Sequence, residues 1–224
     1  MRDHEPTMHQ HEPTERQEEP TERQQIADSF EQLGPEAPTI LPGWGASELL
    51  EHLLLRERHA LALAGSLVPG PLTGFALQRR RRQLAELSFS ERVQLLREGP
   101  GPLSPTGRID QLTGDGELLI HHEDLRRAQS GWEPRRLSAR RSADVWRTVR
   151  RMAPVMAHIP AQVTLVSPLG GLRLGSRWRD GSLRVHGDVM ELLLWVSGRD
   201  EVARVRIHGD PVGLQALTEG RRGA

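Results

Sequence analysis

The stretch GELLIHHEDLRRAQ, residues 116–129, combines two adjacent histidines with three acidic residues in a segment whose pattern predicts a helix. A helix places residues i, i+4 and i+7 on one face, and here these positions are Glu117, His121 and Asp124. A glutamate and a histidine one turn apart can hold one metal ion from adjacent turns. Ordinary surface pairs have the same spacing, so the spacing alone leaves both interpretations open.

The second histidine of the pair, His122, is predicted to lie at the surface. It is rotated by about 100° from His121 around the helix, which places it near Arg126. The stripe that contains His121 has apolar residues on both sides, a pattern typical of a face that borders a cavity. We therefore expect His121 to be the functional residue and His122 to meet solvent or a neighbouring helix.

A third candidate, His52, lies in the strongest helical pattern of the chain, residues 45–65. It borders an apolar face that includes Leu49, Leu50 and Leu53. One interpretation is a boundary histidine that hydrogen-bonds a polar group, and the other is a ligand shared with the helix of His121. Two helices that each place a histidine near the core boundary favour the second interpretation.

Composition limits the chemistry that these residues can perform. The chain has 224 residues and no cysteine, so a metal site must use nitrogen and oxygen ligands, and a thiol must come from outside. Its 30 basic and 30 acidic residues cancel, which argues against a nucleic-acid partner, and the run Arg79–Arg82 is interpreted as a solvated helix face. Without a signal-peptide pattern or an apolar run of about 20 residues, we expect a cytoplasmic protein outside the membrane.

The pattern along the chain divides it into three parts and predicts an α+β fold. Residues 1–24 contain three seven-residue copies, HEPTMHQ, HEPTERQ and EEPTERQ, and are predicted to form a disordered tail. Residues 25–160 have helical periodicity, including a helix from about 109 to 129. Residues 161–224 alternate like strands around two short helices, which predicts a small α/β domain. The five tryptophans are expected to be core or interdomain anchors.

Two segments resemble a known superfamily. LPGWGASELLEHLLLRERH is similar to the second-helix signature of the DinB-like bundles, and ELLIHHEDLRRAQ resembles the E-x-x-x-H-x-x-D segment of the mycothiol-dependent maleylpyruvate isomerase group. The nearest resemblance, over residues 25–220, is to an actinobacterial family of uncharacterised metal-binding proteins in that group. It implies a DinB-like four-helix bundle followed by a small domain similar to sterol-carrier folds.

The resemblance also implies a metal site and an activity. Transferred residue by residue, the ligands are His52, Glu117 and His121, with Asp124 and Arg56 as their partners. Zinc is the metal expected from such ligands, although nickel, iron and manganese also use them. The implied function is a metal-dependent thiol transferase or isomerase that acts on a small-molecule substrate with mycothiol as an external low-molecular-weight thiol. The alternative is a module that binds metal or a small ligand without turnover. In the isomerases an arginine of the C-terminal domain supports activity, and the resemblance suggests Arg199 as the corresponding position here.

Overall fold

A computed structural model describes residues 19–64, 71–100 and 116–223. Within these ranges the chain forms eight helices and a mixed four-stranded sheet, which confirms the α+β prediction. The helices are α1 Glu22–Leu33, α2 Ala46–Ala64, α3 Pro71–Ala85, α4 Phe89–Glu98, α5 Gly116–Arg126, α6 Ala139–Met156, α7 Val189–Val196 and α8 Pro211–Glu219. The strands are β1 Gln162–Ser167, β2 Gly170–Leu174, β3 Ser182–His186 and β4 Arg206–Gly209.

Helix α1 begins inside the repeat that the sequence analysis assigned to a disordered tail. Thr21 caps it: its hydroxyl accepts from the Gln24 amide, and the Gln24 side chain accepts from the Thr21 amide. Glu22 is fully buried. The end of the tail at residue 24 is therefore corrected to precede Thr21. Residues 1–18 lie outside the described ranges, as do 109–115 of the predicted helix, so those predictions stay untested.

The first hydrophobic core lies between α1, α2, α4 and α5. Helix α2 contributes an apolar face, because its leucines between residues 49 and 55 recur at helical spacing and are almost completely buried. Phe30 of α1 meets the ring of Phe89 edge-on in the same core. Helix α5 adds Leu118 and Leu125 to it. This core fixes the position of α2 relative to α5.

The sheet has the order β2-β1-β3-β4. Strand β1 pairs antiparallel with β2 through a short turn and parallel with β3, while β3 pairs antiparallel with β4. Val163, Leu165, Leu183 and Val185 are buried, at the alternate positions that one sheet face requires. Helix α8 approaches β3 closely at Gly213, where a Cβ would collide with the backbone of Ser182.

A second core joins α6 and α7 to the sheet. It contains the buried face of α6, including Val145, Val149 and Met152, together with apolar residues of α7, β1 and β3. Leu119 and Ile120 of α5 also belong to it, so α5 lies between the two cores. Helix α6 belongs to the second core, because α7 covers its one-sided apolar face. The division between the two cores therefore falls at α5 and not near residue 160.

Only some of the tryptophans have the expected role of core anchors. Trp146 and Trp195 are buried, and the ring of Trp132 contacts the guanidinium groups of Arg127 and Arg204. Trp178 and Trp44 are not core anchors, contrary to the prediction, because they are 79% and 36% exposed. No helix in the described part of the chain is both long enough and apolar enough to cross a bilayer.

Candidate metal centre

Helix α5 brings Glu117 and His121 together on adjacent turns. The distance from His121 Nε2 to Glu117 Oε2 is 3.5 Å. Two ligand atoms bound to a tetrahedral ion at about 2.0–2.2 Å lie about 3.3–3.6 Å apart, so this pair has the spacing that one shared ion needs. The spacing is a consequence of the i,i+4 geometry of the helix.

Helix α2 supplies the third side chain, as the sequence analysis expected. The ring centroid of His52 lies 5.0 Å from that of His121, and the rings meet edge-on. His52, Glu117 and His121 each offer one ligand atom, and these three atoms all lie within 4.8 Å of one another. His121 is buried, whereas His52 and Glu117 are half-buried. The cluster could therefore hold a metal ion while one side remains accessible.

Asp124 determines which nitrogen of His121 faces the cluster. Its Oδ2 lies 2.8 Å from His121 Nδ1, and the carboxylate is completely buried. When Nδ1 donates to this carboxylate, Nε2 keeps its lone pair and is directed towards Glu117. A carboxylate behind a ligand histidine fixes the ring orientation and increases the basicity of the nitrogen that binds metal.

Asp124 is itself held by Arg199, the residue that follows α7 and its terminal turn. Arg199 donates from Nε to Oδ1 at 3.1 Å and from Nη2 to Oδ2 at 2.9 Å. Burial alone would raise the pKa of Asp124, but the hydrogen bonds from His121 and Arg199 outweigh it and lower the pKa. Arg199 therefore acts on the cluster through Asp124. This connects the C-terminal part of the chain to the site.

Arg56 is the other cation beside the cluster. Its Nη1 lies 3.4 Å from Glu117 Oε2, and its side chain is 26% exposed. Burial tends to raise the pKa of Glu117, but the hydrogen bond to His121 and the charge of Arg56 together lower it. Glu117 is therefore ionised at neutral pH and able to act as a ligand. The ring of Trp44 lies 5.2 Å from that of His52 and borders the exposed side of the cluster.

The two histidines of the cluster have opposite protonation preferences. Burial, reinforced by the nearby His121, lowers the pKa of His52 to about 4, so its imidazole is neutral at pH 7. Burial also disfavours protonation of His121, but the hydrogen bonds to Asp124 and Glu117 outweigh it and raise the pKa. Without a cation, the cluster thus retains a proton on His121 more readily than on His52. A cation bound at Nε2 would displace that proton.

His122 is only 3% exposed, so it does not lie at the surface but meets a neighbouring helix, the second of the two environments expected for it. Its Nδ1 lies 2.6 Å from Glu22 Oε1, and its Nε2 lies 2.9 Å from the Ser29 hydroxyl. Burial outweighs the hydrogen bond to Glu22 and lowers the pKa of His122. The side of α5 that carries His122 does not face solvent, because α1 covers it. The two histidines still have separate partners, as expected.

Glu22 is the residue of this region that sequence reasoning missed. It accepts from Arg135 and Arg141 as well as contacting His122, although it lies in the repeat EEPTERQ. The signal that could have identified it is the Thr-x-x-Gln spacing of Thr21 and Gln24, which marks a helix start. That spacing would have placed Glu22 in the first turn of α1. Its burial against α5 has no local signal.

The arginine run of α3 needs no ligand to explain it. Arg79–Arg82 are exposed, as expected for a solvated helix face, and Arg81 pairs with Glu51 at 3.3 Å.

Comparisons of the chain with protein-family models, with curated proteins and with solved structures found no match. The function must therefore be argued from the geometry of the cluster.

Proposed function

We propose that this protein binds one divalent metal ion through His52, Glu117 and His121. The observation that carries the proposal is the convergence of three ligand atoms within 4.8 Å, with His121 oriented by a buried carboxylate. Two imidazoles and one carboxylate are a common ligand set of zinc enzymes, which makes zinc the metal we propose. Nickel, iron and manganese would use the same donors, so metal analysis must include them.

The arrangement supports an enzyme more than a purely structural ion site. Structural zinc sites are closed by four protein ligands, whereas catalytic sites use three and keep a position for water or substrate. Here His52 and Glu117 are half-buried, which leaves one side of the cluster accessible. A bound divalent cation would lower the pKa of a coordinated water or thiol and supply a nucleophile at neutral pH.

The protein's own residues would orient the reactants and hold protons. Asp124 keeps His121 Nε2 directed at the ion position, and Arg199 keeps Asp124 ionised. Arg56, the partly exposed cation next to Glu117, lies where it could attract an anionic group of the substrate.

The activity that we propose is that of a metal-dependent thiol transferase or isomerase with mycothiol as the external thiol. Its basis is the resemblance of residues 116–129 and of the His52 helix to the mycothiol-dependent isomerase group. We also propose a DinB-like architecture for the helical part and a sterol-carrier-like one for residues 161–224. The substrate would be a small electrophile.

Metal analysis tests the site. We expect about one zinc per chain in the wild type and less than about 0.1 in Glu117→Ala, because two remaining ligands hold zinc poorly. Glu31→Ala is the matched control, since Glu31 is an exposed helix residue that pairs with Arg97. Equal metal content in all three proteins would contradict the proposed ligands.

A thiol-transfer assay with a panel of electrophiles, with and without mycothiol, tests the activity. We expect turnover that requires both the metal and the thiol and that is lost in Glu117→Ala. Stoichiometric metal without turnover would instead support a sequestering module. Turnover that persists after metal removal would contradict the enzyme proposal.

A further inference from the structure

A cavity of about 510 Å³ lies between the segment 134–142, the turn that joins β1 to β2, and the first turn of α7. Small-molecule sites in proteins are typically about 300–1,000 Å³ and mostly apolar. Apolar residues of the lining include Leu137, Leu169, Val189 and Met190. The charged residues of the lining are Arg135, Arg136, Asp188 and Glu191, and Glu191 is already paired with Arg127. The cavity thus combines an apolar lining with two arginines and one acid that is not part of that pair.

Arg135 has a donor that is not used within the protein. Its Nη1 donates to Glu22 at 2.9 Å, and its Nε lies 2.7 Å from Glu123, although not in hydrogen-bond geometry. Its Nη2 is buried and has no hydrogen-bond acceptor among the residues that the structure describes. A buried guanidinium donor without an acceptor is unfavourable. Because Arg135 lines the cavity, an acceptor supplied there by a ligand would be stabilising once the side chain turns Nη2 towards it.

The ion pairs beside the cavity contain one more cation than anions. The buried ion-pair network there contains four guanidinium groups and three carboxylates, an excess of one positive charge. Its members are Arg126, Arg127, Arg135, Arg141, Glu22, Glu123 and Glu191. Arg136 and Asp188, which also line the cavity, add one charge of each sign and leave this excess unchanged.

Helix α7 adds further donors at the same place. Asp188 is its N-cap residue, but the Asp188 side chain makes no capping hydrogen bond. The first-turn amides therefore have no side-chain acceptor from that residue, and the helix end carries a partial positive charge. Asp188 itself lines the cavity, so a dianion such as phosphate would be repelled more strongly than a monoanion.

The cavity is separate from the metal centre. It lies at the N-terminal end of α7, whereas Arg199 contacts Asp124 from beyond the C-terminal end of the same helix. Eight helical residues span about 12 Å, which keeps the two places apart. A ligand in the cavity would therefore not depend on the metal.

From these observations we propose that the cavity binds a small organic monocarboxylate with a compact apolar body. The carboxylate accepts from Arg135 and Arg136, and the apolar body packs against Leu169, Val189 and Met190. A monocarboxylate supplies the missing acceptor and balances the single excess charge, and its apolar part fits the lining.

Calorimetric titration of the full chain with 3-phenylpropanoate tests this proposal, with 3-phenylpropanamide as the neutral analogue of the same shape. We expect saturable one-to-one binding of the carboxylate with a dissociation constant below about 1 mM, and binding of the amide at least about tenfold weaker. Amide signals of Leu169, Val189 and Met190 should shift in heteronuclear NMR spectra during the titration. The affinity should be the same with and without bound metal.

Two exposed lining residues allow variants that keep the fold. Arg136→Gln should weaken binding of 3-phenylpropanoate about three- to tenfold, and Leu169→Gln about threefold. The matched controls Arg140→Gln and Leu214→Gln, at exposed positions outside the lining, should bind like the wild type. Equal affinity for acid and amide, no saturable binding, signal shifts elsewhere, or equal losses in the controls would each overturn the proposal.

Discussion

The contact between Asp124 and His121 offers the sharpest test of the candidate metal centre. Asp124→Asn keeps the shape of the side chain but removes the charge that accepts three hydrogen bonds, at 2.8, 2.9 and 3.1 Å. An amide has one acceptor oxygen and one NH2 donor group, so the asparagine cannot accept all three hydrogen bonds from His121 and Arg199. Its NH2 group would face at least one of these donors. The orientation of His121 and its basicity should both suffer.

Two magnitudes follow from this geometry. Loss of a carboxylate behind a ligand histidine typically costs 10- to 100-fold in metal affinity, or about 1.4–2.7 kcal/mol. Loss of one partner of a buried ion pair costs about 3–5 kcal/mol of folding free energy. Because the Arg199 side chain is 18% exposed and partly hydrated, we expect about 2–4 kcal/mol here.

Competition with a fluorescent chelator measures the metal affinity, and urea unfolding of the metal-free protein measures the stability. Asp144→Asn is the matched control, since the Asp144 side chain forms an exposed pair with Arg147 on α6. If Asp124→Asn is too unstable, Arg199→Gln keeps the contact between Asp124 and His121 and should weaken metal binding about three- to tenfold. A folded Asp124→Asn protein that binds metal within about twofold of the wild type would refute the assigned role of Asp124.

Three further outcomes are expected. His122→Ala should lose about 2–4 kcal/mol of stability in urea unfolding but retain its metal, because His122 is buried against Glu22. His121→Ala should lose the metal. Metal loss in both variants would contradict the separate roles of the two histidines. In metal-free protein, the pKa of His52 falls from 6.5 to about 4 on folding, so the unfolded state binds more protons and stability should fall as the pH drops from 6.5 towards 4. His121 has a raised pKa and acts in the opposite sense. Urea midpoints at pH 7 and pH 5 should therefore be measured for the wild type and for His52→Gln, and the variant should lose less stability between the two pH values. An identical pH dependence in both proteins would refute the explanation. Arg127→Met should cost about 3–5 kcal/mol in urea unfolding, because it leaves two buried carboxylates without their shared guanidinium, and a loss below about 1 kcal/mol would contradict this.

The local sequence was sufficient for the parts of the site that lie on one helix. The i,i+4 and i+7 spacing of Glu117, His121 and Asp124 depends only on the helical repeat, so their shared face could be predicted before any packing was known. The caps and turn residues similarly indicated most of the helices and the switch to strands after Pro160. His52 could be nominated, because its position at an apolar border is also a property of one helix.

The sequence could not determine which surfaces of these helices are covered. Helical spacing gives the rotation of His122 around α5 but not the presence of α1 on that side, and so its burial against Glu22 was missed. The apolar face of α6 likewise does not specify its partner, since any apolar surface of suitable shape can cover it. That α6 packs with α7 and the sheet emerges only when the whole chain competes for the same contacts.

The sequence by itself thus determined the types of the candidate ligands, the helical faces of Glu117, His121 and Asp124, and the absence of cysteine from the chain. Only the tertiary structure decided that Asp124 is held by Arg199 and that a network with one excess positive charge borders an apolar cavity. The physical reason is the range of the forces involved. Backbone hydrogen bonds and side-chain periodicity act over a few residues, whereas burial and charge pairing join residues that are about 75 to 119 positions apart.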